Sequence, residues 1–171
     1  NTTGLLLFTT NGELANRLMH PSGEIEREYA VRVLGQPSAI QRQNMLQGVE
    51  LDDGPAAFSS IQEMGGSGIN HWYHVILKEG RNREVRRLWE SQGLTVSRLI
   101  RVRFGPYELP RQKRPGHYWY LEPSEIGELM NAVGLQTGLG STGPKRRVWP
   151  RASDPGQRKS RPGTRSRSKT S

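Results

Sequence analysis

The stretch Lys78 to Glu90, KEGRNREVRRLWE, restricts the fold more than any other part of the chain. It follows an apolar run, His74-Val75-Ile76-Leu77, that reads as the end of a strand, and it turns at Gly80. Val85, Leu88 and Trp89 then recur at i, i+3 and i+4, the spacing of a buried helical stripe. Asn82 is the candidate N-cap, and Glu84 suits the positive end of the helix dipole. At about 100° per residue, Arg83 and Arg87 fall opposite the stripe, whereas Arg86 falls on its edge. A half-buried guanidinium needs an anion, and a helix start favours negative charge nearby. The element therefore suits a carboxylate or a phosphate. The plainer reading is that Arg86 snorkels or pairs with Glu90 at i+4.

The rest of the chain supplies strands and short helices. Leu5 to Phe8 reads as a buried strand, and Gly12 to His20 as a helix stopped by Pro21. Glu24 to Leu34 alternates, with Ile25, Arg27, Tyr29, Val31 and Val33 on one face, so Arg27 and Tyr29 share a side. A cross-strand pair explains that sharing equally well. Ser38 caps a helix to Gln47, and Gly48 to Phe58 holds an Asp-Gly turn between apolar pieces. Asp52 and Asp53 read as turn residues rather than catalytic acids. Met64 to Gly68 reads as a flexible turn, without the spacing of a nucleotide loop. His71 and His74 lie an odd number of residues apart in a strand, hence on opposite faces; with no Cys in the chain, no metal site is expected. Thr95 to Phe104 is a further strand, expected to carry Arg98, Ile100, Val102 and Phe104 on one side and Ser97, Leu99, Arg101 and Arg103 on the other. Tyr118 to Leu121 is a last short strand, and Ser124 to Val133 a last helix. This order predicts an α+β domain with a largely antiparallel sheet and packed helices over residues 1–133.

Charge divides the chain. Its 25 Lys/Arg and 16 Asp/Glu split as ten and one from Lys145 onward, leaving fifteen of each before it. Residues 134–171, rich in Gly, Pro, Ser and Arg, are expected to form a disordered basic tail. Within the neutral part, Lys78 to Arg114 holds eleven basic residues against four acidic ones. That excess points to a polyanion such as nucleic acid, although a solvated face has the same composition. No apolar run approaches the roughly 18 residues of a membrane span. A soluble, cytoplasmic monomer is expected. The first residues, Asn-Thr-Thr-Gly, lack an initiator Met and read as cut from something longer.

Four stretches taken together, NTTGLLLFTTNGELANRLMHPS, EREYAVRVLG, GVELDDGPAAF and EGRNREVRRLWE with VSRLIRVRFG, resemble the pseudouridine synthases that modify single uridines of small- and large-subunit ribosomal RNA. The resemblance covers about residues 1–122 and implies that family's catalytic fold. It implies that Tyr29, in the basic-x-Tyr motif, stacks on the target base, and that Arg86 pairs with the catalytic Asp. In that family the Asp stands in a Gly-Arg-Leu-Asp-x segment, so the resemblance implies it two positions ahead of Asn1, and a small RNA-binding domain of ribosomal-protein-S4 type usually precedes the catalytic domain. Asn1 and Thr2 would support the loop bearing the Asp, and Leu77 and Val85 would wall the pocket. The implied partner is ribosomal RNA, of the large subunit, without metal or organic cofactor. Arg27, Arg81, Arg83, Arg87, Arg98, Arg101 and Arg103 are candidates for RNA contact, chiefly with phosphates. A basic RNA- or ribosome-binding module without chemistry is the alternative reading.

Overall fold

A computed structural model of the chain describes residues 3–20 and 23–135. Asn1 and Thr2, expected to support the site, and nearly all of the expected tail lie outside the described residues. The elements are β1 (Thr3–Gly4), α1 (Gly12–Met19), β2 (Arg27–Leu34), α2 (Ala39–Gln47), β3 (Val49–Leu51), β4 (Gly54–Ala56), β5 (Ser60–Ser67), β6 (Asn70–Leu77), α3 (Glu84–Glu90), β7 (Thr95–Phe104), β8 (Tyr107–Glu108) and α4 (Pro123–Ala132). Six strands form one sheet in the order β1-β7-β2-β6-β5, with β8 also on β7. Only the β1–β7 pair is parallel, so the sheet is largely antiparallel, as expected for α+β.

β2 lies at the centre, paired with β7 on one side and β6 on the other. Arg27, Tyr29, Val31 and Val33 are buried on one face, and the intervening residues are half-buried on the other. On the buried face they join Tyr73, Val75 and Leu77 of β6 and Val85, Leu88 and Trp89 of α3. The indole of Trp89 packs at 5.1 Å from the Tyr73 ring and 6.1 Å from Phe58. A second core gathers Leu5, Leu14, Leu18, Ile25, Phe104 and Leu129. Leu135 is buried with them, so the folded part runs past the boundary that composition set at residue 134.

β7 departs from the expected alternation. Two register shifts against β2 set Val96, Leu99, Arg101 and Phe104 opposite Val33, Val31, Tyr29 and Arg27. Strict alternation would have turned Arg98 to the core and Leu99 to water; the two bulges reverse that. Arg101, assigned to the face away from Phe104, therefore shares a face with it and with Tyr29.

Other expectations change as well. Leu5–Phe8 is not a strand: pairing ends at Gly4, whose φ is +109° and whose absent Cβ would lie 2.3 Å from the Arg101 carbonyl oxygen. Leu6 and Phe8 are exposed beyond it. The Met64–Gly68 stretch lies mostly within β5, with a bulge between Glu63 and Gly65 and the turn only at Gly68-Ile69. Gly66 permits this hairpin, because a Cβ there would meet the Asn70 oxygen at 2.2 Å. Tyr118–Leu121 forms no strand. The last helix starts from a Glu122/Glu125 capping box with Pro123 in its first turn, rather than from Ser124.

Candidate active site

Tyr29, Leu77 and Val85, which lie far apart in sequence, meet in the first core cluster. Leu77 and Val85 are closed off from solvent, while Tyr29 keeps 9% of its surface accessible. Arg86 stands next to Val85 on α3, half-buried, and its Nη1 donates to the carbonyl of Val96 in the same cluster at 2.8 Å. The residues read as pocket and cation therefore border one apolar body.

The start of α3 differs from the expected capping. Arg83, not Asn82, occupies the cap position, with φ +50° and no side-chain cap bond. The helix has seven residues, and the carboxyl at its start is the chain's own Glu84, whose Oε2 accepts from the Arg81 amide at 3.0 Å. Glu84 is 2% exposed, and Oε1 has no hydrogen-bond partner among the described residues. Burial, with Glu79 nearby, pushes the Glu84 carboxyl up to about 7. Hydrogen bonds from Arg81 hold Glu79 below the usual carboxylate range. Because the folded value for Glu84 lies above the ordinary 4.5, the stability it supports is full below about 4.5 and is lost as pH rises through about 7. Glu84→Gln mimics the protonated acid. It is expected to raise the melting temperature by about 3–8 °C at pH 8 and to change it little at pH 5, as thermal unfolding at the two pH values will read.

Most arginines expected on RNA are engaged within the protein. Arg27 is 5% exposed and donates to the carbonyls of Ile25, Lys78 and Leu18 at 2.9–3.0 Å, which removes it from the phosphate set. Arg81 donates to Glu79, to the Gly54 carbonyl at 3.1 Å and to that of Pro55, joining the β3–β4 hairpin to the loop before α3. Arg87 forms a fork with Asp53 at 2.7 and 2.8 Å. Arg103 bridges Glu26 and Glu28 at 2.9 and 3.0 Å, and Arg101 donates to the Leu5 carbonyl at 2.7 Å. Arg81, Arg87 and Arg103 thus bond protein groups through their forks, and Arg101 does so through Nε. Arg83 and Arg98 remain exposed, Arg83 lying 3.5 Å from Glu90.

Asp53 is the functional-looking residue that sequence reasoning passed over as a turn acid. It does stand in the β3–β4 turn, yet it also ties that turn to α3, at a separation of 34 residues that no local pattern reveals. Hydrogen bonds from Arg87 hold its carboxyl at about 2, below the ordinary 3.8. The clamp's contribution is present above about 3.8 and is lost as pH falls through about 2. Asp53→Asn is expected to melt at a lower temperature than the parent at pH 6, with the gap closing by about pH 2; unfolding across that range checks it.

His71 and His74 occupy opposite faces of β6, and His74 Nδ1 lies 2.7 Å from Glu28 on the outer one. Among the described residues no three His, Asp or Glu gather as metal ligands, and no helix is long and apolar enough to cross a membrane. Two clefts, of about 400 and 610 Å³, open elsewhere, the first beside Lys78 and Pro55 and the second beside Arg32 and Trp72.

Comparison with known proteins extends this geometry. The chain is 62% identical over 137 residues to ribosomal large subunit pseudouridine synthase B of Pseudomonas aeruginosa, covering 80% of this chain and 36% of that protein. It is 58% identical over 135 residues to the protein of the same name from Escherichia coli K12, covering 79% and 46%. The chain thus spans less than half the length of these curated relatives. A crystal structure of a pseudouridylate synthase matches with a TM-score of 0.68 at 25% identity, over 75% of this chain and 55% of that one. Residues 1–91 match the RNA pseudouridylate synthase family, and the chain belongs to that family.

Proposed function

We propose that this chain forms part of the catalytic body of an enzyme that isomerises a uridine of large-subunit ribosomal RNA to pseudouridine. The observation that carries the reading is the meeting of Tyr29, Leu77 and Val85 in one cluster, with Arg86 on its border. The reaction breaks the N1–C1′ glycosidic bond, rotates the base and joins C5 to C1′; the C5 proton leaves and N1 gains one, so the formula is unchanged. A paired base is out of reach, so the target nucleotide is extruded first. Tyr29 supplies the ring for it. Since only 9% of that residue is accessible, neighbouring side chains must give way for a full base to stack. Arg86 orients and keeps ionised a carboxylate contributed from outside the described residues; a cation within ~4–6 Å lowers a carboxylate pKa by roughly 1–3 units.

The test is a chimera that joins this chain behind the portion of the Pseudomonas aeruginosa relative that precedes the matched region. Incubated with unmodified large-subunit RNA, it should create a carbodiimide-reactive stop in primer extension at one uridine. An RNA left without any new stop defeats the proposal. RNA binding that persists unchanged in Tyr29→Phe and Arg86→Lys, with no stop in the parent chimera, favours a binding module without chemistry.

A further inference from the structure

From Leu109 to Leu121 the chain runs outside helix and strand, tied at its base by the Leu109 amide on the Val102 carbonyl at 2.7 Å. A strand at Tyr118–Leu121 would have turned alternate rings toward a core. Instead Tyr118 is 77% exposed and Tyr120 84%, while Trp119 is 38% exposed. The two tyrosine rings meet edge to face at 6.2 Å, and the Lys113 ammonium sits 5.2 Å over the Trp119 ring. Arg111, Lys113 and Arg114 precede the rings, and no Asp or Glu occurs from Leu109 to Leu121.

Two tyrosine rings left in water, beside a partly exposed tryptophan and cations with no acid in the segment, form a surface that calls for a partner. Acid-free cations suit phosphates, and open ring faces suit nucleobases, which stack without regard to sequence. Base faces are available only in an unpaired strand. Extruding a target uridine from a helix leaves unpaired neighbours of that kind.

We propose that the strap Arg111–Tyr120 binds two or three unpaired nucleotides of RNA, with Tyr118 and Tyr120 stacking on bases and Arg111, Lys113 and Arg114 meeting the flanking phosphates. This rests on the RNA-modifying role proposed above and adds a subsite on a segment separate from the strand bearing Tyr29.

Fluorescence anisotropy tests it, using the 171-residue chain, a labelled oligouridine of about 12 nucleotides and an RNA duplex of similar length, in about 0.2 M salt to damp the tail's attraction. Y118A/Y120A should bind the single strand about 10- to 100-fold more weakly and the duplex within about twofold of the parent, the range set by losing two stacks. Y118F/Y120F, which keeps the rings, should bind the single strand within about twofold of the parent. Single-strand affinity unchanged in Y118A/Y120A overturns the strap, and is the result expected if the rings instead cover a protein partner. Equal loss for strand and duplex, or a loss in Y118F/Y120F as large as in Y118A/Y120A, also overturns it. If the unaltered chain binds neither RNA, the strap is overturned, while the RNA-modifying role is decided separately by the chimera's primer-extension stop. Binding that survives the alanine pair removes the strap alone.

Discussion

Arg86→Lys in the uridine-isomerising chimera is expected to lower turnover about a hundredfold or more while RNA affinity stays within about threefold. The reason is geometric. One arm of the Arg86 guanidinium is committed to the Val96 carbonyl at 2.8 Å, which holds the group against the start of β7. A planar fork fixed in that way can present its other nitrogens to a carboxylate in one orientation. A lysine ammonium has the charge but can satisfy only one of the two demands in that plane. Single-turnover rates compared with equilibrium binding of the same RNA separate the outcomes. Equal losses in both would mean that Arg86 holds RNA rather than the reacting carboxylate.

Arg27→Ala is expected to destabilise the folded chain by about 3–5 kcal/mol. Arg27 carries the charge of the basic-x-Tyr motif, and the resemblance suggested RNA contact. Its guanidinium is instead enclosed beneath the Phe104 ring at 5.1 Å, and it fastens three chain segments through Leu18, Ile25 and Lys78. Burial lowers its pKa below the usual arginine range, yet the charge persists because three carbonyls replace water. Removing it takes this donor from two buried acceptors and a part-buried one. Gly80 belongs to the same arrangement: a Cβ there would come within 3.3 Å of Arg27 Nε. Urea unfolding should show a lower midpoint at an unchanged slope. Arg27→Lys should recover less than half of the loss, since one ammonium cannot reach carbonyls spread around a fork. A loss of about 1 kcal/mol or less in Arg27→Ala would refute the fastening role.

The elements themselves were largely legible in the sequence, because local periodicity survives without neighbours. β2, β6 and the stripe Val85-Leu88-Trp89 lie where their apolar spacing puts them, α2 where its Ser38 cap does and the β3–β4 hairpin where its Asp-Gly turn does. Family membership was legible too, from the resemblance of four motifs taken together rather than from any one residue. Failures came where a second strand or a distant charge overrode the local pattern. Leu5–Phe8 has the composition of a strand, but the β1–β7 register ends at Gly4; beyond it the Leu5 amide donates to the Arg101 carbonyl and the Arg101 side chain closes on the Leu5 carbonyl. β7 has the composition of strict alternation, but the demand to bury Val96, Leu99 and Phe104 together inserted two bulges and moved Arg101 to the Tyr29 side.

The sequence by itself determined which residues are cationic, which are apolar and at what local period they recur, because those properties depend on a residue and its near neighbours alone. Only the tertiary structure decided what each cation faces. Arg87 meets Asp53 across 34 residues and Arg103 meets Glu28 across 75, while Arg83 and Arg98 stay in solvent. A guanidinium's partner is set by which strands pair and in what register, and electrostatic attraction acts over a few ångströms of space rather than along the chain.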